Sequence, residues 1–187
     1  LLKQLDYPLA APSANITTKV SAVKAKDVKE EFGNKIKYIL DGGTCTIGIE
    51  STIVNLTGRP TILRLGGLDI LKIQKTLGFK INISINPKKK IAPGQSRLHY
   101  SPGIPLRMNV TKPKNDEAFI IIKKKKTKHK NYFYLTSKNN LDEAAKNLYS
   151  CLRKIKNEGY KSIAVEKIPN IGLGKAINDR LRRASKY

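Results

Sequence analysis

Residues 87–103 divide the chain into two parts, and this division constrains the fold more than any other feature of the sequence. The segment holds three prolines, two glycines and three consecutive lysines, with no period of apolar residues. Such a composition is typical of a linker. His99 and Tyr100 lie near its end, which is unusual for a passive connection. We therefore predict one folded unit over residues 1–86 and a second over 104–187.

The first unit alternates helix-type and strand-type segments. A helix is predicted over Val23–Phe32, which Gly33-Asn34 ends, and another over Ile70–Leu77, which Asp69 caps and Gly78 ends. β-Branched and aliphatic runs between turn signals predict strands. These strands are Leu9–Ala11, Ile36–Leu40, Thr46–Leu56 and Thr61–Leu65.

The alternation of strand-type and helix-type segments in the second unit predicts a small open α/β sheet of the Rossmann-like kind. Leu141–Glu158 has apolar residues every three or four positions, which indicates an amphipathic helix, and Lys175–Ser185 forms a last helix. The lysine-rich run Lys123–Lys130 is most simply a solvated hairpin loop, and an RNA-binding tip is the alternative. The predicted strands are Ile104–Asn109, Glu117–Ile122, Tyr132–Thr136 and Ser162–Glu166.

The net charge of +23 is concentrated after the first unit: residues 1–86 carry +5 and residues 87–187 carry +18. Such an excess favours a polyanionic partner. However, lysine outnumbers arginine 29 to 8, so a bias toward AT-rich codons also explains much of the charge. Both interpretations stay open.

Other features exclude several protein classes. No apolar run approaches the ~20 residues of a membrane span, and Leu1–Leu5 lacks the order of a signal peptide. Cys45 and Cys151 show neither CxxC spacing nor a neighbouring histidine cluster, so we expect no disulfide scaffold and no protein-bound metal. A reducing cytoplasm is the expected location.

Two polar positions in the first unit are candidate anion sites. The loop 11–15 places Ser13 and Asn15 beside exposed backbone N–H groups, where a phosphate or ribose could bind. Ser21 precedes the helix Val23–Phe32, so it either caps that helix or binds phosphate there. Both residue types are also ordinary in turns.

Two further positions lie on predicted strands. Glu50-Ser51-Thr52 interrupts an apolar run, so these side chains either alternate between the faces of the strand or need a partner or ligand. Arg64 ends a strand beside Gly66 and Gly67, where it could bind phosphate or form a surface ion pair. With no catalytic triad, paired carboxylates or Walker loop, these residues indicate only an anion-binding α/β protein.

In combination, these motifs resemble the two-domain form of the threonylcarbamoyl-AMP synthase family, which carries a YrdC-type domain. The order of the motifs spans nearly the whole chain. The resemblance rests on residues 8–15, Ser21, residues 39–43 and 48–54, Ile62-Leu63-Arg64 with Gly66, Pro93-Gly94-Gln95, residues 99–102 and residues 172–184.

This resemblance implies a reaction and a site. The family joins L-threonine, bicarbonate and ATP into threonylcarbamoyl-AMP and releases pyrophosphate, for the threonylcarbamoylation of adenosine beside the anticodon of tRNAs. Mg²⁺ is expected with ATP, and tRNA or tRNA-modification enzymes are expected partners, with no membrane. The implied nucleotide-binding residues are Ser13, Asn15, Ser21, Arg64 and Tyr100, the last in a linker that closes as a lid. The implied L-threonine-binding residues are Ala11 and Ser51.

The family's Lys/Arg-rich nucleotide-binding motif precedes the Pro-Ser-Ala-Asn loop and is not in this chain, and Leu65 stands where the family usually has proline. We therefore expect the C-terminal part of a longer enzyme, inactive alone. The alternative function is a non-catalytic, basic RNA-binding module, which the charge of the second half favours.

Overall fold

Two separate β-sheets carry the fold in a computed structural model that describes residues 1–125 and 129–186. In the first sheet, β1 (Ile53–Asn55) pairs antiparallel with β2 (Thr61–Arg64), which pairs parallel with β3 (Asn82–Ile83). Helices α1 (Ala25–Phe32) and α2 (Ile70–Leu77) belong to this part of the chain. Short 3-10 turns lie at Leu2–Gln4 and Gly33–Lys35.

The second sheet has four parallel strands, which lie across the sheet in the order β4 (Leu106–Arg107), β7 (Ile163–Val165), β5 (Ala118–Lys123) and β6 (Tyr132–Thr136). Helices α3 (Leu141–Asn157) and α4 (Gly174–Ala184) are its helical elements. The predicted α/β class is confirmed. No helix of the described residues is long and apolar enough to cross a membrane.

Local signals explain where the helices start and end. The Asp69 carboxylate accepts from the Leu71 N–H at the start of α2, and Gly78 ends that helix with a left-handed φ of 76°. Asn140 caps α3 in the same way through the N–H groups of Asp142 and Glu143. The predicted bounds of α2 are therefore confirmed without change. The predicted bounds of strand β6 are also confirmed.

Several predicted strands are wrong, because a strand needs a neighbour as well as a suitable sequence. In the part of the chain that the structure describes, neither Leu9–Ala11 nor Ile36–Leu40 forms a strand, and Tyr38 and Leu40 are each 76% exposed. Only the last part of Thr46–Leu56 forms a strand, β1. Gly48, at a φ of 79°, breaks the extended backbone before it.

The predicted hairpin is also wrong. Strands β5 and β6 pair parallel through Phe119 with Tyr132 and Ile120 with Phe133, whereas a hairpin joins antiparallel strands. The centre of the lysine run, residues 126–128, lies outside the described residues, so the RNA-binding tip stays a prediction.

The two parts share one apolar core, which extends from Val20 and Ile62 to Leu148 and Leu181. The linker packs against the first part: Gln95 is 5% exposed, accepts from the N–H groups of residues 91 and 92, and donates to the Leu63 carbonyl at 3.0 Å. The unit boundaries at residues 86 and 103 stay predictions.

Candidate functional site

A cavity of about 400 Å³ opens in the first part of the chain. Its wall combines Ser13 from the Pro-Ser-Ala-Asn loop, Ser21, and residues 45–50, with Tyr149 contributed by α3. Two motifs that lie some thirty residues apart in the sequence therefore meet at one cavity, and the second part of the chain completes it.

Ser21 is not a helix cap. Helix α1 begins at Ala25 with Lys24 as its cap residue, whose side chain makes no capping bond. The Ser21 hydroxyl instead donates to the Glu50 carboxylate across 29 residues of sequence. At 8% exposure, Ser21 is a buried polar group with a fixed partner.

Glu50 is the centre of a buried polar network. The Tyr149 hydroxyl lies 3.0 Å from both of its carboxylate oxygens, and the Nε of Arg180 in α4 donates at 2.8 Å. Burial raises the pKa of Glu50, but the Arg180 charge and the Ser21 hydroxyl outweigh it and hold the pKa below the ordinary value. Glu50 is therefore ionised at neutral pH.

Arg180 fixes this network to the rest of the molecule. Its side chain is 1% exposed, donates to the Leu65 carbonyl at 2.8 Å and pairs with Asp179 at 3.0 Å. The guanidinium lies 4.7 Å from the centre of the Tyr100 ring, which stacks on Tyr149 at 5.9 Å. A helix of the second part thus contacts the site through one arginine.

Tyr100 lies inside the protein rather than on a loose tether. It is 1% exposed, and burial raises the pKa of its hydroxyl, which therefore stays protonated. That hydroxyl is buried and has no partner within the described residues. An unpartnered buried donor is a group to which a ligand can bind.

Arg64 and Ser51 form a second polar group beside the linker. The Arg64 Nη2 donates to the Ser51 hydroxyl at 3.1 Å, and its Nε donates to the Ser51 carbonyl at 3.0 Å. Among the described residues Arg64 makes no ion pair. The surface ion pair considered for Arg64 is therefore not found within residues 1–125 and 129–186, and none of their carboxylates neutralises its charge.

The remaining candidate residues lie away from the cavity wall. Asn15 donates to the carbonyls of Ile16 and Lys19 at 2.9 and 3.2 Å, so it holds its own loop. Its Oδ1 is buried and has no hydrogen-bond partner among the residues that the structure describes. Ala11 is exposed and does not line the cavity. Their assigned roles, like those of the other site residues, stay predictions.

Two members of the network, Tyr149 and Arg180, were not predicted from the sequence. Glu50 was predicted to alternate or to need a partner because it interrupts an apolar run, but its contacts with Tyr149 and Arg180 were not predicted. Arg180 lies on the face of α4 that also carries Ile177 and Leu181, where a charged residue should have drawn attention. Tyr149 carries no signal, because a tyrosine is ordinary in an amphipathic helix.

Comparisons with known proteins cover both parts of the chain. Residues 68–186 match the family described as threonylcarbamoyl-AMP synthase, C-terminal domain, and residues 1–66 match the family described as telomere recombination. The resemblance drawn from the sequence motifs is confirmed.

Curated relatives carry the same name. Threonylcarbamoyl-AMP synthase of Pyrococcus abyssi is 35% identical over 100% of this chain and 60% of the relative. The Schizosaccharomyces pombe enzyme is 32% identical, over 99% of this chain and 54% of its own length. The Bacillus subtilis enzyme is 30% identical, over 99% and 59% respectively. The chain thus spans 54 to 60% of the length of these relatives.

Solved structures agree. P. abyssi Sua5 complexed with L-threonine superposes with a TM-score of 0.80 at 33% identity, over 94% of this chain and 57% of that one. A variant of that protein with a histidine and a tyrosine changed to alanine gives 0.77 at 32% identity, over 94% of this chain and 56% of the other.

Proposed function

This chain belongs to the threonylcarbamoyl-AMP synthase family, and from this premise we propose that the complete protein joins L-threonine, bicarbonate and ATP into threonylcarbamoyl-AMP and releases pyrophosphate. The product would serve the threonylcarbamoylation of tRNA in the cytoplasm, with tRNA or tRNA-modification enzymes as partners. The observation that carries the proposal is the cavity lined by Ser13 and Ser21, with the unpaired Arg64 and the unpartnered Tyr100 hydroxyl at the linker.

The proposed reaction is an adenylyl transfer, in which a carbamate carboxylate attacks the α-phosphate of ATP. Both groups are negatively charged, so catalysis needs positioning and charge neutralisation more than a protein nucleophile. Arg64 suits this need because its guanidinium is held at Ser51 and no carboxylate of the described residues neutralises it. We assign Arg64 to the phosphates.

The hydrogen bond of Ser21 limits what it can bind. A serine hydroxyl has one proton, and Ser21 donates it to Glu50. Its oxygen can then only accept, so within this network it suits a ribose hydroxyl or an amine rather than a phosphate oxygen. The Ser13 hydroxyl makes no such bond to any described residue, so Ser13 is assigned with Arg64 to the phosphates, and Asn15 is assigned to the support of its loop.

Mg²⁺ fits this proposal as a companion of ATP. The described residues hold no group of three or more His, Cys, Asp or Glu side chains that could ligate a metal, and Glu50 is occupied by Ser21, Tyr149 and Arg180. Mg²⁺ commonly binds through substrate phosphates and few protein groups. When bound there, it neutralises phosphate charge.

We propose that Tyr100 is the residue of the lid that contacts the bound ligand. The buried ring lies beside Arg64 at Gly94, and its protonated hydroxyl is free to donate to a ligand. The product is a mixed anhydride that water hydrolyses, so a cover over the site protects it. Ser51, and the backbone at Ala11, are assigned to L-threonine.

Two of the three aromatic residues after the lysine run do not favour an RNA-binding module, whereas the third, Tyr134, is 47% exposed. Phe133 is 7% exposed, and the Tyr132 ring packs edge-on against Phe119 at 5.2 Å. Packing of Tyr132 against Phe119 and of Phe133 against Tyr160 accounts for these two side chains without a stacked base.

Kinetics of the complete protein test the assignment of Arg64. Loss of a charge-assisted phosphate contact costs about 1.5–3 kcal/mol, so Arg64→Ala should lower kcat/KM for ATP about 10- to 150-fold. Arg59→Ala, which removes an exposed arginine from a turn in the same part of the chain, is the matched control and should stay near wild type. Equal kinetics for both variants would remove Arg64 from the site.

A further inference from the structure

A second cavity, of about 350 Å³, lies between the linker and helix α4. It shares no lining residue with the cavity described above. Five cationic side chains line it, two from the linker segment and three from α4 and the residues after it. They are Lys90, Arg97, Arg182, Arg183 and Lys186.

Composition does not account for this cluster. The chain has 29 lysines but only 8 arginines, so a codon bias that enriches lysine leaves arginine scarce. Three of those eight arginines, Arg97, Arg182 and Arg183, nevertheless meet in this one cleft. Arginine is the residue suited to bidentate contact with phosphate.

Among the described residues, the charge of the cleft is not balanced. Asp179, its acidic lining residue, is already bonded to Arg180 and Arg183 at 3.0 and 3.1 Å. The other four cations make no ion pair within the part of the chain that the structure describes. Like charges gathered in a concave site repel one another, and a multiply charged anion would relieve this.

Arg183 is a buried lining residue of the cleft that several hydrogen bonds hold in place. Its side chain is 6% exposed and donates to the carbonyls of Ser96 and Ile85 at 2.9 and 2.8 Å, and to the Asn86 side chain at 3.1 Å. With the bond to Asp179, these contacts use four of its five N–H groups. One N–H of a buried, immobile guanidinium is left for a ligand.

We propose that this cleft binds a compact polyphosphate: pyrophosphate or the phosphate tail of a nucleotide. Four unpaired cations in so small a volume match an anion whose charges lie on adjacent phosphates. A nucleic acid strand carries one charge per phosphate along an extended backbone, which fits a surface stripe better than a cleft. The proposal does not rest on the reaction proposed above and can stand if that fails.

Calorimetric titration of the complete protein with magnesium-free pyrophosphate tests it, with Arg64→Ala present in every protein compared, the reference included, so that the phosphate site proposed above contributes little to the binding. The variant Arg97→Gln/Arg182→Gln removes two exposed side chains, so the fold should survive. Each lost charged contact should weaken binding about tenfold, and the pair about 100-fold. Arg59→Gln/Lys75→Gln removes the same charge from exposed positions elsewhere and should bind as the reference does.

Further titrations identify the ligand. Pyrophosphate and ATP should each shift the backbone amide resonances of Arg97 and Arg182, and AMP should not. Unchanged affinity in Arg97→Gln/Arg182→Gln, or equal weakening in the control, would overturn the site. Tighter binding of a twelve-nucleotide RNA, lost in the same variant, would overturn the compact anion in favour of nucleic acid.

Discussion

Replacing Arg180 by glutamine should destabilise the protein far more than any exposed substitution on the same helix. Arg180 is 1% exposed and pairs with Glu50 at 2.8 Å, while the Glu50 side chain is itself only 15% exposed. The substitution leaves Glu50 with the Ser21 and Tyr149 hydroxyls but no cation. It therefore creates a buried carboxylate without a counter-charge.

Removing one partner of a buried ion pair costs about 3–5 kcal/mol. In a chain of this size each kcal/mol lowers Tm by about 2–4 °C, so we expect a fall of about 6–20 °C. The double variant Glu50→Gln/Arg180→Gln should recover at least about 1 kcal/mol, because no charge is then left unpaired and the two sites interact directly.

Urea and thermal unfolding followed by circular dichroism measure both effects. Arg182→Gln makes the same chemical change on an exposed position of α4 and should stay within about 0.5 kcal/mol of wild type. A loss below about 1 kcal/mol for Arg180→Gln, or a double variant as unstable as the sum of the single ones, would refute the buried pair as a link between the two parts.

Three further predictions concern single groups. Burial raises the pKa of Cys151 to about 12, so iodoacetamide at neutral pH should label the exposed Cys45 and spare Cys151 in native protein, as peptide mass spectrometry would show. Gly94→Ala should destabilise by at least about 1 kcal/mol, because Gly94 has a φ of 83° and a side chain there collides with the Tyr100 hydroxyl. The lowered pKa of Glu50 stabilises the fold above the ordinary glutamate pKa, and this contribution is lost as the pH falls through the lower folded value; Glu50→Gln should therefore flatten the acid side of the stability profile measured by urea unfolding.

Controls separate the causes of these effects. Gly58 has a φ of 86° but open space around it, so Gly58→Ala carries the backbone strain without the collision. Equal losses at Gly58 and Gly94 would show that Tyr100 does not restrict residue 94. Rapid labelling of Cys151 before unfolding would contradict its burial. An unchanged acid limb in Glu50→Gln would contradict the Arg180 and Ser21 contacts that lower the pKa of Glu50.

Local features of the fold were predictable from sequence. The Asp69 cap and Gly78 fix both ends of α2, and the apolar period of residues 141–157 identifies α3, because each signal lies within a few residues. The position of β6 was predictable for the same reason. Its parallel pairing with β5 was not, since strand direction depends on the whole sheet.

The candidate site was predictable only in part. Ser13 and Ser21 lie in short polar motifs that the sequence displays, and both line the cavity. Glu50 and Arg180 are separated by 130 residues, and nothing local to either shows that the two charges meet. Ionic contacts between segments that are distant in the sequence can be identified only when the folded structure shows which segments meet.

The most direct test of the proposed function is the mass-spectrometric detection of threonylcarbamoyl-AMP from the complete protein with ATP, Mg²⁺, bicarbonate and isotope-labelled L-threonine. We predict a labelled adenylate, with pyrophosphate in equal amount, that disappears when threonine or bicarbonate is left out and falls at least tenfold in Ser13→Ala/Arg64→Ala. The account would be contradicted if pyrophosphate were released at the same rate without threonine and bicarbonate. It would also be contradicted if the folded complete protein produced no labelled adenylate.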